Sequence, residues 1–177
     1  MDLRLDPTLP LAETVVELER LAVAAGNGTV GTVGEIEVQP GIINAIGSAL
    51  RFSLDIRGPD DEAYQGVARE IAAFAEEAAR RRGMSAGWTQ RQAIAATPMD
   101  ARIVEALENA AAATGEPYMQ MHSGAAHDTM CVADRVPTAM VFVPCKDGIS
   151  HHPAEDADPA DAAVAAEIIL NAIRSLR

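Results

Sequence analysis

Apolar and polar side chains alternate strictly in the segment Leu50-Arg-Phe-Ser-Leu-Asp-Ile-Arg57. Successive side chains of an extended chain point to opposite faces, so this pattern predicts a β-strand with one buried and one polar face. A looser alternation begins upstream, at Ala45 and Ile46. The turn-forming triplet Gly58-Pro59-Asp60 follows and predicts that the strand ends there.

Helices are predicted on both sides of this strand in the sequence. Asp6 and Pro7 suit the cap and the first position of a helix that ends at Gly26-Asn27-Gly28. Asp60 suits the cap of a second helix, residues 62–82, whose last turn carries three arginines that favour its dipole.

Two further strands complete the prediction for the first half of the chain. They are residues 29–38 and residues 84–95, each with apolar side chains at roughly alternate positions. The order helix, strand, strand, helix, strand predicts an α+β domain over residues 1–96, in which both helices cover one face of an open antiparallel sheet.

The pattern changes after residue 96. Asp100 predicts the cap of a helix that ends at Gly115, and residues 125–133 a short helix. Residues 136–143 are a continuous apolar run, which is typical of a fully buried strand. Asp158-Pro159 predicts the start of a last helix. Residues 97–177 are therefore expected to form part of an α/β layer.

All four histidines lie in two loops that flank this apolar run. The loops are His122-Ser-Gly-Ala-Ala-His127-Asp128 and Gly148-Ile-Ser-His151-His152-Pro-Ala-Glu155. Histidine suits metal ligation and proton transfer near neutral pH, and loops held by a scaffold often carry function. For one histidine alone, a chance surface or capping position is the better interpretation. Two such loops at one strand favour a site.

Composition limits the class of protein. The 177 residues are 49% hydrophobic and 23% charged, as in a globular chain of one domain or two small ones. The net charge of −12 argues against nucleic acid or an anionic membrane as a partner. Cys131 and Cys145 have neither a metal-type spacing nor a disulfide framework, so we expect buried free thiols. With no run near the length of about 18 apolar residues that spans a bilayer, we expect a soluble, cytoplasmic protein.

Three segments carry a resemblance when they are read in order: Gln39-Pro-Gly-Ile-Ile-Asn44 with Phe52-Ser-Leu-Asp-Ile-Arg57, then His122–Asp128, then Pro144–Glu155. Together they resemble the hydantoinase/carbamoylase branch of the dinuclear-metal amidohydrolases. This branch includes N-carbamoyl-L-amino-acid hydrolases, allantoate amidohydrolases and β-ureidopropionases. The resemblance extends through the whole chain but covers only the C-terminal part of the longer family members.

The resemblance implies a division of the chain. Residues 1–96 resemble a lid/dimerisation domain whose first strand is missing, and residues 97–177 the last portion of a dinuclear-metal, peptidase-like catalytic domain. The family's catalytic Glu and most of its metal ligands precede this region, so no catalytic residue is expected in this chain. The complete enzyme is expected to use zinc or manganese and to form a homodimer through the lid. The isolated chain is expected to bind metal weakly or not at all and to be inactive.

The resemblance also implies roles for single residues. His151 matches the C-terminal metal ligand, and Asn44 and Arg57 match the lid residues that hold the substrate carboxylate. A guanidinium fork gives two charge-assisted bonds to a carboxylate, which agrees with that role. The residues expected to line the pocket are Ser123, Gly124 and Ala125, and those expected near the metal without ligating it are His122, His127, Asp128 and His152. Without the resemblance, Arg57 would be interpreted as a strand-end ion pair with Asp55 or Asp60.

The implied reaction is metal-assisted hydrolysis of a ureido C–N bond, in N-carbamoyl amino acids or allantoate. The alternative is a non-catalytic α+β dimerisation or interaction module derived from the same family. The sequence leaves open which ureido compound is the substrate, which metal is used, and whether the chain is a fragment or a natural product.

Overall fold

The structure, a computed structural model, describes residues 3–177. Over this range the chain forms four α-helices and one two-stranded sheet, and it divides into two compact units after Ala96. The first unit contains α1 (Thr8–Ala25), β1 (Val30–Gln39), β2 (Ala49–Arg57) and α2 (Asp61–Arg81). The second contains α3 (Ala101–Thr114), two 3-10 turns (Asp128–Cys131 and Lys146–Gly148) and α4 (Pro159–Ser175).

The sheet of the first unit is an antiparallel hairpin. β1 pairs with β2 from Val30 opposite Arg57 to Gln39 opposite Ala49, with an irregularity between Val33 and Ile36. The strict alternation in β2 is confirmed as a two-faced strand. Leu54 and Ile56 pack against the core, whereas Asp55 and Arg57 remain about half exposed on the other face.

The core of the first unit lies between the hairpin and both helices. Leu18 and Leu21 of α1 meet Val67 and Ile71 of α2, and all four are buried. The apolar side chains of the strands that pack against this cluster are Val33, Leu54 and Ile56. Burying one such side chain contributes about 1.5–3 kcal/mol to the free energy of folding, so this cluster of apolar side chains stabilises the first unit. The predicted α+β class, with two helices on one face of an antiparallel sheet, is confirmed.

Carboxylates accept backbone N–H groups at the start of both helices of this unit, although the cap residue of α1 is Pro7, one position after the predicted Asp6. The Asp6 carboxylate accepts the Thr8 N–H at 3.1 Å, and the Asp60 carboxylate accepts the Ala63 N–H at 2.9 Å. Gly26, at φ 63°, ends α1 in a conformation that favours glycine. Both predicted helices are present within one residue or two of their predicted limits.

The predicted third strand, residues 84–95, is wrong: within residues 3–177 this segment pairs with no strand. Side chains hold it instead. Trp88 Nε1 donates to the Ala72 carbonyl at 3.1 Å, and the Tyr64 hydroxyl donates to the Ile94 carbonyl at 3.0 Å. Alternation of side chains predicts an extended chain, but a strand also needs a neighbouring backbone, and the described residues supply none here.

The second unit is held by small side chains between two helices. Ala106 and Ala110 of α3 meet Ala172 of α4, which allows the helices to approach closely. Asp100 accepts the backbone N–H groups of Arg102 and Ile103, and Asp158 that of Ala160, so both predicted helix starts are confirmed.

Three expectations for the second unit are corrected. The apolar run 136–143 is half-buried to exposed and forms no strand, because no neighbouring strand covers it within the described residues. The predicted helix 125–133 is reduced to the 3-10 turn Asp128–Cys131. Cys131 is exposed and Cys145 half-buried, so the prediction of buried thiols is also wrong.

No helix between residues 3 and 177 combines the length and the hydropathy that crossing a membrane requires.

Candidate functional site

In the first unit, Arg57 lies at the end of β2 and is held by Asp55. These residues are two positions apart on a strand, so both side chains project from its polar face. Arg57 Nε donates to Asp55 Oδ1 at 2.7 Å and Nη2 donates to Oδ2 at 2.5 Å. The hydrogen bonds from Arg57 lower the pKa of Asp55, and those to Asp55 raise the pKa of Arg57. Of the two partners that the sequence alone suggested for Arg57, Asp55 and Asp60, the structure shows the ion pair with Asp55.

A second arginine on the same face has a different partner. Arg51 Nη2 donates to Glu37 Oε2 of β1 at 2.6 Å, which lowers the pKa of Glu37. Arg51 and Arg57 are thus similar in charge and in strand but separate in their contacts, and Arg51 is a matched control for Arg57.

Asn44 is exposed in the connection between β1 and β2. The Ser48 N–H donates to the Gln39 carbonyl at 2.7 Å, which closes the hairpin at this end. Arg57 lies at the opposite end, and nine extended steps from Ser48 to Arg57 span about 30 Å at about 3.3 Å per residue. The structure therefore does not bring Asn44 and Arg57 to one point.

In the second unit, the loop 122–128 is organised by Ser123 and His127. Ser123 Oγ lies 2.8 Å from His127 Nε2, and the Ala125 N–H donates to the same Oγ at 3.1 Å. The His127 ring meets Phe142 edge-on, with 5.6 Å between ring centroids. Ser123, Ala125 and His127 are half-buried, whereas the other residues of the predicted set are exposed: His122, Gly124 and Asp128.

His151 lies in an exposed loop with an unusual backbone conformation. Its φ is 57°, a left-handed value that is uncommon for a residue other than glycine. The Glu155 carboxylate accepts the His151 N–H at 2.8 Å, and Ser150 Oγ lies 3.2 Å from His151 Nδ1. His152, also exposed, accepts the Ala154 N–H on Nδ1 at 3.1 Å. The ring of His152 thus supports its own turn.

The described residues do not by themselves fit a dinuclear metal centre. Between residues 3 and 177, no three His, Cys, Asp or Glu side chains converge on a position that could hold a metal ion. Structural and catalytic zinc sites use three or four protein ligands, so His151 alone does not make a metal site within these residues.

The comparisons with known proteins identify the family. The model of peptidase family M20/M25/M40 matches residues 9–175. The chain belongs to this family. The resemblance to amidohydrolases deduced from the sequence is therefore confirmed.

Two relatives resemble the chain over most or nearly all of its length. It is 36% identical over 176 residues to an N-carbamoyl-L-amino acid amidohydrolase of Geobacillus stearothermophilus, covering 99% of the chain and 43% of that relative. It is 32% identical over 124 residues to an allantoate amidohydrolase of Bacillus subtilis, covering 70% of the chain and 30% of the relative.

A crystal structure of an amidase of the hydantoinase/carbamoylase family from Burkholderia multivorans superposes with a TM-score of 0.92 at 32% identity, over 97% of the chain and 42% of that structure. The chain thus spans less than half the length of the relatives that it matches.

Two contacts in these loops did not follow from the sequence. They are the Glu155 carboxylate on the His151 N–H and the Phe142 ring on His127. Glu155 belongs to the motif that carried the resemblance, and its position four residues after His151 is the signal by which this contact could have been predicted. Phe142 gave no comparable signal, since it is one apolar residue in an apolar run.

Proposed function

We propose that the whole protein is a metal-dependent amidohydrolase that cleaves the ureido C–N bond of N-carbamoyl amino acids or allantoate. The proposal is supported by relatives that are named as amidohydrolases. It is also supported by the family, whose name describes peptidases and thus enzymes that hydrolyse amide C–N bonds. In this proposal residues 1–96 act as the lid and dimerisation domain, and residues 97–177 as the last portion of the catalytic domain.

The observation that carries the proposal is the placement of Arg57. Its guanidinium lies on the polar face of β2, and its side chain is 53% exposed. Asp55 engages the Nε edge and Nη2, which fixes the plane of the guanidinium. A planar guanidinium of fixed orientation is the group best suited to hold a substrate carboxylate, which N-carbamoyl amino acids and allantoate share.

The other residues have supporting roles in the proposal. Asn44 is a further neutral donor in the connection between β1 and β2, away from Arg57, so its variant is tested separately. His151 would supply one imidazole to a zinc or manganese centre, in a loop that Glu155 closes. The pocket would be lined by Ser123, Gly124 and Ala125, with His122, His127, Asp128 and His152 around it.

The experiment is a nuclear magnetic resonance titration of the chain with N-carbamoyl-L-alanine, observing the arginine Nε–Hε signals. We expect the Arg57 signal to move with this acid and not with N-carbamoyl-L-alaninamide, which lacks the carboxylate. Arg57→Ala assigns this signal by its loss. The shifts that the acid causes in the backbone amide signals next to position 57 should be absent in Arg57→Ala and kept in Arg51→Ala. Exposed ion pairs contribute only about 0–1 kcal/mol, so both variants should fold.

Equal responses of Arg57→Ala and Arg51→Ala, or equal responses to the acid and the amide, would contradict the carboxylate role. If the chain forms a dimer and binds neither ligand, the result would instead favour the alternative of a non-catalytic dimerisation or interaction module.

A further inference from the structure

The Ser123 hydroxyl is the central hydrogen-bonding group of the loop 122–128 and lies next to His127. The hydroxyl oxygen has three neighbours within hydrogen-bond distance: His127 Nε2 at 2.8 Å, the Ala125 N–H at 3.1 Å and the Ala125 carbonyl at 3.3 Å. The Ala125 N–H can only donate, so it uses one acceptor site of the hydroxyl.

The single proton of the hydroxyl then has two possible acceptors. A hydroxyl is one donor and two acceptor sites, and O–H donors favour short, well-aligned contacts. His127 Nε2 is the nearer acceptor by 0.5 Å, from the distances of 2.8 and 3.3 Å. If Nε2 accepts this proton, it carries none of its own, and the proton of the neutral ring is on Nδ1.

We infer that Ser123 is a positioning residue, which holds neutral His127 as the Nδ1–H tautomer and so makes that N–H the donor of the loop. This inference rests on the proposed function, because the ligand that this N–H would bind is a carbonyl or carboxylate oxygen of a ureido substrate. It changes the role expected for Ser123 from direct substrate contact to control of His127.

The ring of His127 also packs against an aromatic ring. Phe142 meets it edge-on at 5.6 Å and 60° between ring planes, and His127 is half-buried. Edge-to-face aromatic pairs are favourable beyond the area that they bury, so this contact favours the present orientation of the His127 ring. A ring with one fixed tautomer and one fixed plane offers its donor in one direction, which discriminates between ligands that do and do not place an oxygen there.

The experiment is nitrogen-15 magnetic resonance of the histidine rings in the full chain, at about pH 8, where an ordinary imidazole is neutral. The chain has four histidines, so loss of one ring signal in His127→Gln assigns the ring of interest. We expect a protonated Nδ1 and an unprotonated Nε2 for His127. Ser123→Ala should move the proton largely to Nε2, and Ser123→Thr, which keeps the hydroxyl, should restore the original pattern.

Ser150→Ala is the matched control. Ser150 contacts the Nδ1 atom of His151 at 3.2 Å, so this variant removes a serine from the other histidine loop. It should leave the His127 pattern unchanged.

An Nε2–H tautomer in the unaltered chain, or the same His127 pattern in Ser123→Ala, would overturn the inference. The tautomer is measured without ligand. If it is as expected and N-carbamoyl-L-alanine does not bind, the proposed function fails while the control of His127 by Ser123 stands.

Discussion

Replacing Gly31 by alanine should destabilise the first unit by displacing Leu18. A Cβ at Gly31 would come within 2.7 Å of Leu18 Cδ1 and 2.8 Å of Leu18 Cγ. Leu18 is only 2% exposed and packs between α2 and the hairpin, so it has little room to move. Overpacking of this kind costs about 1–3 kcal/mol, whereas alanine in place of a strand glycine returns about 0.5–1 kcal/mol. We therefore expect a net loss of about 1–2 kcal/mol.

A double-mutant cycle tests whether Leu18 is the cause. Leu18→Ala alone should cost about 2–5 kcal/mol, because it leaves a cavity in the core. In the double variant the new methyl group at position 31 occupies part of that cavity. The combined loss should therefore be smaller than the sum of the single losses by about 1 kcal/mol or more.

The assay is urea unfolding followed by tryptophan fluorescence. Trp88 is the only tryptophan, and its ring lies 5.7 Å from that of Phe52 in β2, so it reports on the first unit. Gly66→Ala in α2 is the control, since a Cβ there meets only Arg69 Nη2 at 3.9 Å. It should stabilise by up to about 1 kcal/mol. Additive single losses, or a Gly31→Ala variant as stable as the unaltered chain, would refute the argument.

Three further predictions concern assembly, acid stability and activity. Light scattering at micromolar concentration should show a dimer or larger assembly through residues 1–96, because β2 has an unpaired edge within residues 3–177 and Val16 and Val23 of α1 are exposed; a monomer would contradict this. Hydrogen bonds from Arg82 and then Arg81 lower the pKa of Glu13 from 4.5, so its contribution to stability is present above that value and is lost as the pH falls toward the folded-state pKa. Acid unfolding of Glu13→Gln should therefore depend less on pH below about 4.5, and an unchanged profile would count against the ion pairs. The purified chain with zinc or manganese should show no turnover of N-carbamoyl amino acids, and chelator-sensitive turnover would show that our set of metal ligands is wrong.

The four α-helices could be predicted because the signals for them are local. Asp60, Asp100 and Asp158 each accept a backbone N–H within three residues, so the caps depend on neighbours in sequence. Periodic apolar positions then place Leu18 and Ile71 in the core. None of this requires knowledge of distant parts of the chain.

The strands could be predicted only where the partner is close in sequence. β1 and β2 form a hairpin, and both were expected. Residues 84–95 and 136–143 have the side-chain pattern of strands but no neighbouring strand among the described residues. A pattern determines which side chains would face inward, whereas pairing depends on backbone from elsewhere.

The resemblance selected the candidate residues, and the sequence also offered Asp55 as a partner of Arg57, whereas the other contacts did not follow from the sequence. The resemblance selected Arg57, His127 and His151, and the structure shows what holds each of them. These partners are Asp55, Ser123 and Glu155. Hydrogen bonds of this kind depend on turn geometry and rotamers, which a single sequence determines only weakly.

We propose above all that Arg57 binds the carboxylate of the substrate of a metal-dependent amidohydrolase. The most direct test is a chimera in which this chain is joined to the part of the Geobacillus stearothermophilus relative that it does not cover. The assay measures alanine release from N-carbamoyl-L-alanine. We predict chelator-sensitive hydrolysis, with kcat/KM lower by about tenfold to a hundredfold in Arg57→Ala, as expected for a charged hydrogen bond of about 1.5–3 kcal/mol, and little changed in Arg51→Ala. A folded chimera without hydrolysis, or equal kcat/KM in the two arginine variants, would contradict the claim.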